Sequence, residues 1–202
     1  DATARVNMVL TVGDENGNLS EALLRKIAAH PEVKMFELKL SQGAKPGKGG
    51  ILPGVKVTEE IATIRAIEIG KDAISPNRNA EIVDAESLLN MIVRIREITG
   101  KPVGFKSVIG DTDWLEALFC LVLERGRESA PDFITIDGAE GGSGAAPKAL
   151  LDFMGLPIGE SLPAVVDLLC GYGLRDRVKV IASGKMVVPS SVAWALCMGA
   201  DF

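Results

Sequence analysis

The sequence predicts an α/β fold of parallel strands alternating with helices, on three observations. Short apolar runs lie within 34–40, 102–109, 132–137 and 178–182, separated by stretches with helical spacing. That alternation is what β-α-β units produce when helices cover a sheet. Polar loops follow the carboxyl end of nearly every run, after Leu40, Ser75, Ile109, Ile136 and Ala182. A single barrel rim requires that distribution, whereas a doubly wound sheet gathers its polar loops at one switch point. The third observation is size: 202 residues carry six strands and a stub at Gly199, where a (β/α)8 TIM barrel usually takes about 250 residues. The expectation is a partial (β/α)8 barrel, one domain over 1–202, with its first and last segments missing.

In chain order, 5–12 is apolar enough for a buried strand, and 13–18 is a turn-rich loop before a helix over 19–29, capped by Asn18. A strand over 34–40 enters a loop, 39–54, whose five glycines and two prolines argue against both helix and sheet. Thr58 caps the next helix, which reaches Arg65. Residues 72–75 read as a short strand end and 75–79 as a second polar loop. The helix over 85–99 places Leu88, Leu89, Ile92, Ile95 and Ile98 on one stripe. A strand over 102–109 has a lysine, Lys106, in its middle. The helix over 114–125 stops at Gly126, the strand over 132–137 ends in a glycine-rich turn, and a helix over 161–172 precedes the strand 178–182. A last helix covers 190–198, and Gly199 begins one more strand.

Composition narrows the function. The chain is 47% hydrophobic with a net charge of −5 and only 4% aromatic residues. It offers neither the positive field nor the stacking platforms of a nucleic-acid binder. No apolar run reaches the roughly 18 residues of a membrane span, and the first residues lack the order of a signal peptide, so the chain reads as cytoplasmic. Cys120, Cys170 and Cys197 are widely spaced within apolar helical segments. They are expected as buried thiols, not as a disulfide set or as zinc or iron–sulfur ligands, and no metal site is predicted. His30 reads as a residue near a helix end.

The loops carry the chemistry. Lys39, Lys45, Lys48 and Lys56 surround free backbone N–H groups in the 39–54 segment, which suits an anion. Lys106, if it points into a barrel mouth, requires an anion to meet it; the other reading has it facing outward with its stem along the surface. Arg65 with Lys39 and Lys45 would hold the carboxylates of a dicarboxylic substrate, with a hydrogen bond from Gln42. The turn Asp137-Gly138-Ala-Glu-Gly141-Gly142-Ser-Gly144 lets backbone lie close against a ligand. Ser183-Gly184-Lys185 stands where barrels commonly hold a phosphate.

Taken together, 39–58, 104–110, 132–147, 173–178, 182–185 and 199–201 resemble the motifs of the FMN-binding domain of glutamate synthases, and the resemblance extends over essentially the whole chain. It implies a (β/α)8 barrel that binds FMN and reduces 2-iminoglutarate, formed from 2-oxoglutarate and ammonia, to glutamate. By position, Lys106 would sit by the flavin ring as the catalytic cation. Asp137, Gly138, Gly141, Gly142 and Gly144 would line the cofactor, and Ser183, Gly184 and Lys185 would approach its phosphate. Lys39, Gln42, Lys45 and Arg65 would contact the 2-oxo acid. The resemblance also implies glutaminase and electron-donor domains or subunits as partners, and an iron–sulfur cluster in the parent protein whose ligands this chain lacks. Large subunits of the family often carry glutamine where this chain has Ile51, which widens the substrate to related 2-oxo acids or an N-methylglutamate synthase-like reaction. A non-catalytic truncated barrel remains the alternative. A phosphate-binding barrel of the nucleotide dehydrogenase kind is disfavoured because no cysteine occupies a polar loop.

Overall fold

The computed structural model describes residues 18–41, 43–46, 50–65, 67–74, 79, 81–142, 144 and 146–202, without the side chains of Ile64 and Arg65. The expected strand over 5–12, most of the polar loop 75–79, Gln42 and Lys48 lie outside them. Four strands, β1 (Phe36–Lys39), β4 (Val103–Ser107), β5 (Phe133–Asp137) and β6 (Lys179–Ser183), form a sheet in the order β1-β4-β5-β6. Every pairing in it is parallel. Beyond β6 the chain returns alongside it, with Asp201 N–H donating to Val180 O at 2.7 Å and Ala182 N–H to Phe202 O at 2.9 Å. Residues 199–202 thus run beside β6 without the regular pairing of a strand.

The core decides between the two competing architectures. Leu38, Phe105, Ile134 and Val180 stand in register across the sheet. All but the half-buried Leu38 are buried, with Val103 and Ile136 of the same alternation. Against this face pack Leu24 of α1 (Glu21–Ala28), Leu89 and Ile92 of α3 (Ala85–Thr99), Leu118 and Phe119 of α4 (Asp113–Arg125), Leu162 and Val165 of α6 (Ile158–Gly171) and Ala195 of α7 (Pro189–Cys197). In the other alternation Glu37, Lys39, Lys106, Thr135, Asp137 and Ser183 are polar, with Gly104, Phe133 and Ile181 among them. A doubly wound sheet has helices on both faces, while a barrel has them on one. The described strands and helices are part of a (β/α)8 barrel, with the polar alternation on its inner wall.

Local chemistry sets the helix ends. Asp84 Oδ1 accepts from Ser87 N–H at 2.8 Å while Ser87 Oγ accepts from Asp84 N–H at 3.0 Å, a reciprocal cap for α3, which ends on a left-handed Gly100. Three boundaries differ from expectation. Ser20, not Asn18, caps α1, because its hydroxyl faces Leu23 N–H at 3.4 Å. Helix α6 starts at Ile158, three residues before Ser161, since Pro157 pre-sets the first turn and the Glu140 carboxylate receives Ile158 N–H. The 39–54 segment is not wholly irregular. Ile51–Leu52 (β2) pairs antiparallel with Ala73–Ile74 (β3), enclosing α2 (Glu59–Arg65), and Gly54 N–H donates to Asp72 Oδ1 at 2.6 Å to close the unit.

The three cysteines are exposed, not buried. In α4 the helical period turns Leu115, Leu118, Phe119 and Val122 inward, which leaves Cys120 on the outer side near the Tyr172 hydroxyl, at 3.7 Å. Apolar neighbours in sequence were therefore a poor guide to burial, because neighbours one residue apart on a helix do not share a face.

Candidate functional site

The carboxyl ends of the strands are stitched into one rim. Ser41, just past β1, lies 3.1 Å from Ser107 through their hydroxyls, and its Oγ accepts from Val108 N–H at 2.8 Å. The next loop then crosses the sheet. Gly43 N–H donates to Asp137 Oδ2 at 2.9 Å, and a Cβ on Gly43 would overlap the Gly138 carbonyl. Glycine is required there by close approach of two main chains. The other oxygen of Asp137 accepts from Ser183 Oγ at 3.1 Å, and Gly138 N–H donates to Ser183 O at 2.8 Å. Gly184, at φ 118°, and Gly141 pack together so closely that a Cβ on Gly141 would stand 3.0 Å from Gly184 Cα. One buried carboxylate thereby fastens three loops, those after β1, β5 and β6, to one another.

Below that rim lies a row of side chains in register: Lys39, Lys106, Thr135 and Ile181. Lys106 thus lies on the inner wall, on the same side of the sheet as Asp137. The Lys106 side chain is 25% exposed, so its ammonium is within reach of water and of a ligand. Desolvation by the surrounding wall pulls the Lys39 ammonium below its ordinary pKa of 10.5, repulsion from Lys106 and Lys45 adds to this, and Asp137 and Glu37 oppose it. Those neighbours show that Lys39, Lys45 and Lys106 share one electrostatic environment. Lys45 also reaches toward the turn at Gly50, where a Cβ would meet its Nζ at 3.9 Å.

The third part of the site lies beside Gly184. A hollow of about 360 Å³ is lined by Glu140, Gly184, Lys185, Ser190, Ser191 and Trp194 among others. A second of the same size lies on the other side of Glu140 and Lys185. Lys185, which lines both, takes a left-handed backbone at φ 46°. An ammonium and two hydroxyls at the start of α7 form a donor set that suits a phosphate, while the Glu140 carboxylate beside them is engaged by Ile158 N–H. Gly144 borders open space, since a Cβ there would meet nothing within 4 Å.

Of the sequence-derived candidates, Lys39, Lys45, Lys106, Asp137, Gly138, Gly141, Ser183, Gly184 and Lys185 come together at the strand ends. Gly142 and Gly144 continue the same turn. Arg65 closes α2, with its side chain outside the described residues, as Gln42 is. Six residues escaped the sequence reading: Gly43, Glu37, Thr135, Glu140, Ser190 and Ser191. The alternation Phe36-Glu-Leu-Lys39 held the signal for Glu37, because a period of two puts it on the same face as Lys39.

The fold is that of an α/β barrel domain, with lysines on its inner wall beneath a glycine-rich rim. Residues 28–202 match the conserved region of glutamate synthase. The chain belongs to the glutamate synthase family. It is 46% identical over 191 residues to the glutamate synthase large subunit-like protein YerD of Bacillus subtilis, covering 95% of this chain and 36% of that protein. It is 41% identical over 168 residues to the archaeal glutamate synthase [NADPH] of Methanocaldococcus jannaschii, covering 82% of this chain and 32% of that protein. The chain therefore spans about a third of the length of these relatives. Among solved structures, a flavocytochrome b2 mutant with benzoylformate superposes with a TM-score of 0.56 at 17% identity, over 95% of this chain and 39% of that one. That likeness concerns the fold alone. Among the described residues no helix is long and apolar enough to cross a membrane.

Proposed function

We propose that this chain is the FMN-binding barrel of a glutamate synthase-type oxidoreductase, which reduces the imine of 2-oxoglutarate or a related 2-oxo acid to the amino acid. The observation that carries this reading is the pairing of Lys39 with Lys106 on the inner wall, with Lys45 of the following loop nearby, under a rim fastened by Asp137. FMN, when bound, supplies the hydride donor for the imine carbon. Lys185 with Ser190 and Ser191 would hold its phosphate, and Lys106 would face the flavin ring. A cation at that place stabilises negative charge gained on reduction, as preorganised charge does at any developing anion. Lys39 and Lys45, with Gln42 and Arg65, would fix the carboxylates of the oxo acid, so that the imine carbon meets the donor in one orientation. Asp137 works through the loops it ties and touches backbone and hydroxyl groups of this chain. The partners that follow are the small 2-oxo acid, a source of ammonia such as a glutaminase domain or subunit, and an electron donor.

The test is made on the full-length protein. It should purify yellow, and its reduced flavin, held anaerobically, should be reoxidised by 2-oxoglutarate with ammonia. Ile51, 60% exposed on β2, stands where large subunits of the resembled family often carry glutamine, so methylamine is run beside ammonia. Failure of every 2-oxo acid and amine pair to reoxidise bound flavin would refute the reading.

A further inference from the structure

The inner wall holds a carboxylate that the reading above does not use. Glu37 stands on β1, two residues before Lys39 and in register with Gly104 of β4. Its Oε2 accepts from Thr135 Oγ1 at 2.5 Å, and its Oε1 lies 4.0 Å from Lys106 Nζ. Thr135 is itself buried, at 5% exposure, and belongs to the same row as Lys106. One oxygen is therefore fixed by the neighbouring strand while the other faces the lysine. Gly104 itself is required by the close approach of Phe133, whose ring and carbonyl a side chain there would meet. Among the described residues, the other charged groups near this space are Lys39 and Lys45 from the β1 side and Asp137 from β5; β6 contributes Ile181 and Ser183. Three ammonium groups thus share the wall with two carboxylates, and Asp137 is already engaged by Gly43 and Ser183.

We propose that Glu37, anchored by Thr135, is a positioning residue that aims Lys106 and sets how much positive charge the inner wall presents to the bound cofactor. The inference rests on the flavin reading for the identity of the cofactor, and on the Glu37, Thr135 and Lys106 geometry for everything else. A carboxylate near the ammonium partly offsets its field. Neutralising the carboxylate without changing its shape should remove that offset. The wall becomes more positive, and the reduced, anionic flavin is favoured.

Two measurements on the full-length protein test this. In the flavin-loaded form, Glu37→Gln should raise the ratio of reduced to oxidised flavin about tenfold at the parent's midpoint, about 30 mV for a two-electron couple. Lys106→Met should move the midpoint in the opposite direction. In protein stripped of flavin, Glu37→Gln should make Lys106 at least about threefold more reactive toward an amine acylating reagent at neutral pH, with the site located by mass spectrometry, because the side chain is no longer held toward the carboxylate and is freer to meet the reagent. Thr135→Val retains the charge while releasing the anchor, so the carboxylate closes on Lys106; both readouts should then shift the other way, and this variant serves if Glu37→Gln fails to fold. The proposal is overturned if neither substitution changes Lys106 reactivity, or if Glu37→Gln leaves the midpoint within twofold of the parent while Lys106→Met moves it. If the reactivity changes but no preparation retains flavin, the flavin reading falls and the Glu37 to Lys106 coupling stands.

Discussion

Strand β5 has an aspartate at each end, and the two do opposite kinds of work. Asp132, before its first residue, is clasped by Arg96 Nε at 3.0 Å and by an Arg177 amino group at 2.9 Å, and accepts from Val103 N–H at 2.7 Å. Asp137, its last residue, meets a main-chain N–H and a hydroxyl and, among the described residues, no arginine. At the first end, charge is neutralised by charge, and the result is a closed clamp joining α3, β4, β5 and the segment before β6. At the second, one carboxylate is satisfied by neutral donors, so the lysines nearby keep their positive field for something else. Residues at the amino-terminal end of a barrel serve stability and those at the carboxyl end serve chemistry. Here that division is visible in the partners chosen by the same residue type five positions apart.

The comparison breaks most visibly at Asp132. Asp132→Ala leaves two partly buried guanidinium groups without their counter-ion and should cost about 3 kcal/mol in urea unfolding, the lower end of the range because about a quarter of each side chain meets water. If stability alone resides at this end, the flavin midpoint of the folded variant stays at the parent's value. Gly43→Ala attacks the other end by overlap with the Gly138 carbonyl and should cost about 2 to 3 kcal/mol. Unlike the first change, it should also weaken flavin retention, since the loop must lift from Asp137 to make room. Asp137→Asn keeps the volume but loses the charge that receives Gly43 N–H. It should cost about 2 kcal/mol by unfolding, with retention of flavin again reduced. Equal effects of Asp132→Ala and Asp137→Asn on flavin would erase the distinction between the two ends.

Much of this division was legible in the chain itself. The apolar runs and their helical spacers place β4, β5, α3 and α4 within a residue or two, because amphipathic period and caps such as Asp84 and Gly100 are local. The loops after Leu40, Ile136 and Ala182 also announce the rim by composition. What could not be read was pairing across the sheet. That Lys106 sits beside Thr135, and that Glu37 reaches both, depends on strand register, which no local pattern fixes. The exposed cysteines were misjudged for the related reason that apolar neighbours do not say which way a helix is turned. Residues 51–52 were passed over as loop because their partner, 73–74, lies some twenty positions on, and a two-residue strand has too little sequence to declare itself.

The smallest expected effect concerns a second carboxylate at the stabilising end. Asp201 accepts from Val180 N–H at 2.8 Å and pairs with Arg175 at 2.9 Å and Lys179 at 3.3 Å. Burial alone would push its carboxyl pKa up, but the Val180 N–H and the two cations outweigh it and hold the carboxyl below its ordinary 3.8. A group whose folded pKa lies below its unfolded one contributes stability that is fully present above the unfolded value. It is lost as the pH falls through the folded one. The parent should therefore lose stability on going from about pH 5 to about pH 3, and Asp201→Asn, which has no proton to take up, should show a shallower loss over the same window while being less stable than the parent at neutral pH. Urea unfolding at the two pH values checks this. An unchanged slope would mean that the clamp beside β6 is held by its hydrogen bonds and not by charge, which would set Asp201 apart from Asp132 and place it closer in kind to Asp137.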